Sequence, residues 1–123
     1  MIFPELVHLL INMWQKAAYE HAKAEHPNES CGLIYEENNK LIYGKCRNIA
    51  KDFESESFVI EPEDWAKYED KGDIKGLVHS HPNGQLRFSE ADIASCNYLD
   101  VDFYLVDPFT STTIHLKPEK DEK

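Results

Sequence analysis

A chain of 123 residues with a formal net charge of −10 is long enough for one hydrophobic core and too short for two. Its 23 acidic residues against 13 basic ones would repel a phosphate backbone, so we expect no nucleic-acid partner. No stretch approaches the roughly 20 apolar residues of a membrane span, and residues 1–5 lack the basic segment of a secretory signal. These features indicate a soluble, cytoplasmic protein with no membrane partner.

The first half of the chain predicts one helix and a β-hairpin. Residues 4–25 carry apolar side chains every three or four positions, the period of an amphipathic helix that Pro4 would open. His26-Pro27-Asn28 should end this helix, because proline disfavours helical geometry at the residue before it. Residues 31–35 and 41–46 are β-prone runs around a polar turn, so we expect them to pair antiparallel.

The second half alternates short helices and strands. After a polar loop at residues 50–57, Glu61-Pro62 predicts a short helix to Tyr68, and residues 74–79 form a buried central strand. A helix follows from Ser89 to about Tyr98, then strands at 102–106 and 111–116, and a charged tail at 117–123. We therefore predict an α+β domain at residues 1–116, with helices packed on a largely antiparallel mixed sheet.

The strongest chemical signal is His79-Ser80-His81-Pro82 at the end of the predicted central strand. Alternate strand residues face the same way, so His79 and His81 can direct two imidazoles at one metal ion. Asp92, at the start of the next helix, can supply a third ligand and leave one tetrahedral position open for water, as in hydrolytic zinc sites. Ser89 and Asp92 also match a helix-capping pair, and both interpretations stay open on local evidence.

The pattern of Glu29, His79-Ser80-His81-Pro82 and Ser89-x-x-Asp92 resembles the signature of the JAMM (MPN-plus, Mov34/PAD-1-like) zinc metallopeptidases. The ten residues between His81 and Asp92 also match that signature. The resemblance implies zinc bound by His79, His81 and Asp92, with Glu29 deprotonating the water and Ser89 stabilising the oxyanion. It also implies an α/β sandwich of the cytidine-deaminase-like kind and a protein or peptide substrate, without implying specificity for ubiquitin.

Longer segments are similar to the amino-terminal half of the tail assembly K proteins of lambda-like phages. They are Glu29-Ser30-Cys31-Gly32, Glu61-Pro62-Glu63-Asp64-Trp65 and Ser89-Glu90-Ala91-Asp92, together with the histidine motif. This resemblance implies a peptidase or isopeptidase that acts in phage tail assembly in the cytoplasm of a bacterial host, with a tail protein as a candidate substrate.

Other classes fit less well. A zinc deaminase would need H-x-E and P-C-x-x-C motifs, which this sequence lacks. A thiol protease built on Cys31 and His79 would need a cationic setting for the thiolate, and Cys31, Cys46 and Cys96 are better interpreted as buried free thiols. The remaining alternative is a tail-assembly scaffold or chaperone with a structural zinc, against which the presence of Glu29 argues, because binding alone needs no general base.

Overall fold

The computed structural model describes residues 13–119, which form three helices and five strands in an α+β arrangement, as predicted. The predicted start of the first helix at Pro4 and the last four residues of the predicted tail lie outside the described residues. Among the described residues, no helix is long and apolar enough to cross a membrane. In chain order the elements are α1 (Met13–Glu25), β1 (Cys31–Glu37), β2 (Lys40–Cys46), α2 (Pro62–Glu69), β3 (Asp73–Ser80), α3 (Glu90–Leu99), β4 (Asp102–Asp107) and β5 (Thr112–Leu116).

The five strands form one mixed sheet in the order β2-β1-β3-β4-β5. β3 and β4 pair in parallel, and the other neighbouring pairs among these strands are antiparallel. Parallel neighbours need a crossover connection, which α3 provides here. The prediction of a largely antiparallel sheet with β3 at its centre is therefore confirmed.

The predicted hairpin between β1 and β2 is also confirmed, with longer strands than the sequence indicated. Asn38 and Asn39 occupy its tip with φ values of 53° and 63°. Two successive residues of positive φ make the turn that matches the right-handed twist of paired strands, and asparagine tolerates this conformation better than most residues.

Helices cover both faces of the sheet. On one face, Trp14, Ala18 and Ala22 of α1 pack against residues of β1, β3 and β4. On the other face, Tyr68 of α2 and Cys96 of α3 join the second core cluster. Side chains alternate along a strand, so within β3 Val78 points to α1, whereas Leu77 and His79 point to the face covered by α2 and α3.

Candidate metal centre and its cleft

The structure brings the three predicted metal ligands together at the end of β3. Asp92 Oδ2 lies 3.3 Å from His79 Nε2 and 3.4 Å from His81 Nε2. His79 lies within β3, whereas His81 follows its last residue, Ser80. Both imidazoles nevertheless approach the same carboxylate oxygen.

Asp92 reaches the histidines from the first turn of α3. The Ser89 backbone N–H donates to Asp92 Oδ2 at 2.9 Å, and the Asp92 backbone N–H donates to Ser89 Oγ at 3.0 Å. This reciprocal capping box satisfies two N–H groups at the start of the helix. Asp92 therefore caps α3 and faces the histidines at once. Ser89 Oγ accepts a hydrogen bond here and still has a hydrogen to donate. The capping contact is therefore compatible with the predicted role of Ser89 at an oxyanion, which stays a prediction.

Glu29 reaches the cluster through the pairing of β1 with β3. Cys31 lies opposite His79 in this antiparallel register, and continuing the register places Glu29 opposite His81. The Ser30 N–H donates to Ser80 Oγ at 2.8 Å and the Ser80 N–H donates to the Ser30 carbonyl at 3.2 Å, which extends the register beyond β1.

The backbone of Glu29 makes two hydrogen bonds with the loop that follows β2. Its N–H donates to the Glu54 carbonyl at 2.7 Å, and its carbonyl accepts from Asn48 Nδ2 at 3.0 Å. Glu29 is only 5% exposed. Ligand atoms of Glu29, His79 and His81 lie within 4.8 Å of one another, a grouping that could itself hold a metal ion.

His79 is fully buried, and neither of its ring nitrogens has a hydrogen-bond partner among the described residues. Asp92 Oδ2 is near Nε2 but lacks hydrogen-bond geometry. Phe58 stacks on the imidazole with ring centroids 4.7 Å apart. Burial lowers the pKa of His79, so the ring is neutral, the form that binds metals. A buried nitrogen without a partner is costly, and a metal on Nε2 would satisfy it.

His81 is oriented by a hydrogen bond of 3.0 Å between its Nδ1 and the Gln85 carbonyl. Since a carbonyl can only accept, Nδ1 carries the hydrogen, and the lone pair of the neutral ring lies on Nε2. This is the nitrogen that approaches Asp92. Ligand histidines in metalloproteins typically donate their other N–H in this way.

The two carboxyl groups of the cluster differ in charge. Burial acts to raise the pKa of Asp92, but contacts with His79 and His81 outweigh it and hold the pKa well below its usual range. Burial raises the pKa of Glu29 to about 7, with an opposing effect from His81 and a smaller raising effect from Asp92. Without a metal, Asp92 is therefore an anion at neutral pH, whereas Glu29 is poised to gain or lose a proton.

The distances from Asp92 Oδ2 to the two imidazoles fit a tetrahedral zinc ion. Two ligand atoms about 2.0–2.1 Å from zinc at the tetrahedral angle are about 3.3 Å apart. The separations of Asp92 Oδ2 from His79 Nε2 and His81 Nε2 are 3.3 and 3.4 Å. The donor set of two imidazoles and one carboxylate is also one that zinc accepts.

The cluster opens into a cleft of about 920 Å³ between α3 and the loop that precedes α2. Glu29, His81, Ser89 and Asp92 line this cleft, so a substrate could reach them. The supporting contacts from Ser30, Ser80, Asn48 and Gln85 were not predictable, because serine, asparagine and a backbone carbonyl carry no motif of their own.

The three cysteines are free and buried, as predicted. Burial raises the pKa of the Cys31 thiol well above its ordinary value and that of Cys46 to about 12. A thiolate nucleophile is therefore disfavoured at both positions, which argues against the alternative of a thiol protease.

Comparisons with known proteins agree with this geometry. The family described as prokaryotic homologs of the JAB domain matches residues 12–115. The tail tip assembly protein K of Escherichia phage N15 is 37% identical over 90 residues, which are 73% of this chain and 37% of that protein. Protein K of Escherichia phage lambda is 45% identical over 47 residues, 38% of this chain and 24% of that protein. The matched region thus spans well under half of either relative.

Two solved structures share the fold. A JAB1/MPN domain protein from Archaeoglobus fulgidus superposes with a TM-score of 0.54 and 22% identity, covering 84% of this chain and 81% of that one. The solution structure of a protein from Desulfitobacterium hafniense gives a TM-score of 0.62 and 17% identity, covering 84% and 77%.

Proposed function

Since the chain belongs to the prokaryotic homologs of the JAB domain, we propose that it is a zinc-dependent peptidase or isopeptidase that acts in phage tail assembly. The observation that carries this proposal is the approach of two imidazole nitrogens to one carboxylate oxygen, at distances that suit two ligands of a tetrahedral zinc ion, beside a second, buried carboxyl group. The similarity to tail tip assembly proteins K supports the biological setting.

We assign the metal to His79, His81 and Asp92. The short separations from Asp92 Oδ2 to both imidazoles favour this carboxylate as the third ligand, and leave Glu29, two residues before β1, for proton transfer. Zinc in such a site supplies Lewis acidity and lowers the pKa of water to roughly 7.

Glu29 and Ser89 then carry out proton transfer and charge stabilisation. The Glu29 carboxylate takes the proton that the attacking water loses as its oxygen bonds to the amide carbon. Glu29 passes this proton to the amide nitrogen as the C–N bond breaks, so the products are a carboxylic acid, which then ionises in water, and an amine. The Ser89 hydroxyl donates a hydrogen bond to the amide oxygen while negative charge develops there.

The experiment is a cleavage assay of zinc-loaded protein against candidate tail proteins, read by mass spectrometry of the fragments. Glu29→Gln keeps the size of the side chain but cannot accept a proton, so we expect the rate to fall by about 10² to 10⁴ at equal zinc content. Glu56→Gln is the matched control, since Glu56 is exposed and lines the same cleft. Equal rates for wild type and Glu29→Gln would remove Glu29 from the mechanism.

A structural zinc is the second candidate, and the weak anchoring of α3 favours it. Of the ten residues of α3, Asp92 and Cys96 are the buried ones. A metal that joins Asp92 to His79 and His81 would tie α3 to β3 without any turnover, as a scaffold requires. Phage that encode Glu29→Gln separate the candidates, because an enzyme predicts defective tails and a scaffold predicts normal infectious tails.

A further inference from the structure

The cleft that contains the metal cluster has both polar and apolar walls. At the cluster end its walls carry Glu29, His81 and Asp92. The same cleft is lined by Trp65 of α2 and Leu99 of α3, together with other apolar side chains, namely Phe58, Ile60 and Phe88. Phe58 stacks on the His79 imidazole, so the apolar part of the cleft begins directly beside the cluster. We call this apolar part of the cleft, bounded by these five side chains, the apolar recess.

The helix α3 shows how far the recess extends from the cluster. Asp92, Ser95 and Leu99 line the cleft at positions i, i+3 and i+7, which lie on one side of a helix. At 1.5 Å per residue, Leu99 lies about 10 Å along the helix from Asp92. This distance suits one large side chain of a bound peptide and is too short for a helix or a folded domain.

The floor of the cleft is also apolar beside the cluster. On β3, Leu77 precedes His79 by two residues and therefore faces the same side of the sheet. Leu77 pairs with Phe103 of β4, and both are buried and line the cleft. The floor of the cleft thus carries two apolar side chains beside the cluster.

The walls of the recess are open to solvent. Leu99 is 39% exposed, and Phe58, Ile60, Trp65 and Phe88 are half-buried. Partly exposed apolar side chains that line a concave cleft beside polar groups are typical of ligand sites. Burial of this surface by a ligand would be favourable, since each apolar Å² removed from water stabilises the complex.

We propose that the apolar recess binds a large apolar side chain of the substrate next to the scissile amide bond. The recess is continuous with the cluster in one cleft, so a peptide whose amide lies at the cluster places a neighbouring side chain there. The substrates are then proteins or peptides with a bulky apolar residue at that position, in preference to a small one. This inference rests on the proposed function, because the recess serves specificity only if the cluster binds the reacting amide.

The test uses zinc-loaded protein and two hydroxamates that share one metal-binding group. Acetohydroxamate has only a methyl group, whereas 3-phenylpropanohydroxamate carries a large apolar group that can enter the recess. Isothermal titration calorimetry measures both affinities without any substrate. We expect the phenyl compound to bind at least about tenfold more tightly.

Variants of α3 test whether the difference in affinity between the two hydroxamates arises in the recess. Leu99→Ser removes apolar surface from the recess, and Leu99→Trp fills the recess, so in both the affinity ratio should fall to about threefold or less. Tyr98→Ser is the matched control on the same helix, because Tyr98 is 88% exposed and is not part of the cleft lining. Tyr98→Ser should keep the affinity ratio of the wild-type protein.

The outcomes separate the two proposals. Equal affinities of wild-type protein for both hydroxamates, or an unchanged ratio in both Leu99 variants, would overturn the recess while leaving the metal site in place. Failure of both compounds to bind protein that holds one equivalent of zinc would overturn the open metal site of the proposed function, and the recess proposal with it.

Discussion

Single side chains determine whether the cluster holds a metal ion. His79 contributes a neutral, buried imidazole whose nitrogens have no other partner among the described residues, and His81 contributes an Nε2 whose orientation is fixed from Nδ1. Neither histidine therefore needs to rearrange in order to bind zinc. Such preorganisation strengthens binding because fewer side-chain rotamers are lost when the ion is bound.

We expect purified protein to hold about one equivalent of zinc after loading and removal of excess metal. His81→Ala should hold far less, because two remaining ligands make a poor zinc site. His115→Ala is the control, since His115 pairs with Asp102 and is not part of the cleft lining. Plasma emission spectrometry measures the metal. Full zinc occupancy in His81→Ala would contradict the ligand assignment.

The raised pKa of Glu29 has a consequence for the stability of the metal-free protein. Its folded-state pKa is about 7 against an ordinary value of 4.5, so between these values the folded state binds more protons than the unfolded state. The free energy of unfolding therefore falls as pH rises through this window. Glutamine at position 29 cannot bind this proton, so the stability of Glu29→Gln lacks this dependence on pH. The free energy of unfolding of Glu29→Gln minus that of wild type should therefore rise by about 1 to 3 kcal/mol from pH 5 to pH 8.

Urea unfolding with a chelator present, at pH 5 and at pH 8, measures this difference. Glu56→Gln should show the same relative stability at both pH values, because Glu56 is exposed. A Glu29→Gln effect that did not change with pH would show that the Glu29 carboxyl is not protonated in the folded protein near neutral pH.

At the scale of elements, α3 depends on few contacts. Its buried residues are Asp92 and Cys96, and Asp92 is also the residue that faces the metal ligands of β3. α1, by contrast, buries Trp14, Ala18 and Ala22 against the sheet. Elements with few buried apolar contacts open locally at lower free energy than the core does.

Zinc should therefore slow amide hydrogen exchange in α3 much more than in α1. The ion would join Asp92 to two residues at the end of β3, and binding to the native state stabilises whatever the ligands hold together. Exchange measured by mass spectrometry with and without zinc gives the comparison, and His81→Ala should show no zinc effect. Equal protection of both helices would show that the ion does not anchor α3.

Elements were predictable from the sequence where local rules determine them. Proline is favoured in the first turn of a helix, and a serine followed three residues later by an acidic residue is favoured at a helix start. The structure has both, with Pro62 at the start of α2 and the pair of Ser89 and Asp92 at the start of α3. The approach of Glu29 to His81 depends on the pairing of β1 with β3, which no local rule specifies, and the prediction placed Glu29 there only through a family resemblance. The apolar recess was not predicted, because its walls come from α2, α3, the loop between β2 and α2, and the loop between β3 and α3.

At the scale of the whole molecule, the sheet provides a rigid base for the site and the helices divide its faces. α1 covers the face away from the cluster, whereas α2 and α3 leave the cleft open between them on the other face. Residues at the ends of strands are held more precisely than residues on long loops, which suits groups that must act on one atom. The fold thus places α1 on one face of the sheet, and the candidate metal cluster with its cleft on the other.

The pairing of β1 with β3 also orders events during folding. The three assigned ligands lie between residues 79 and 92, close enough in sequence for a partly folded chain to bring them together. Glu29 is far away in sequence, and joins them only when the long segment between Cys31 and His79 has closed into antiparallel register, a step that is slow because of its loop-closure entropy. Under the proposed function, a partly folded chain would therefore bind zinc before Glu29 is in place, and would be able to cut proteins only after β1 has paired with β3.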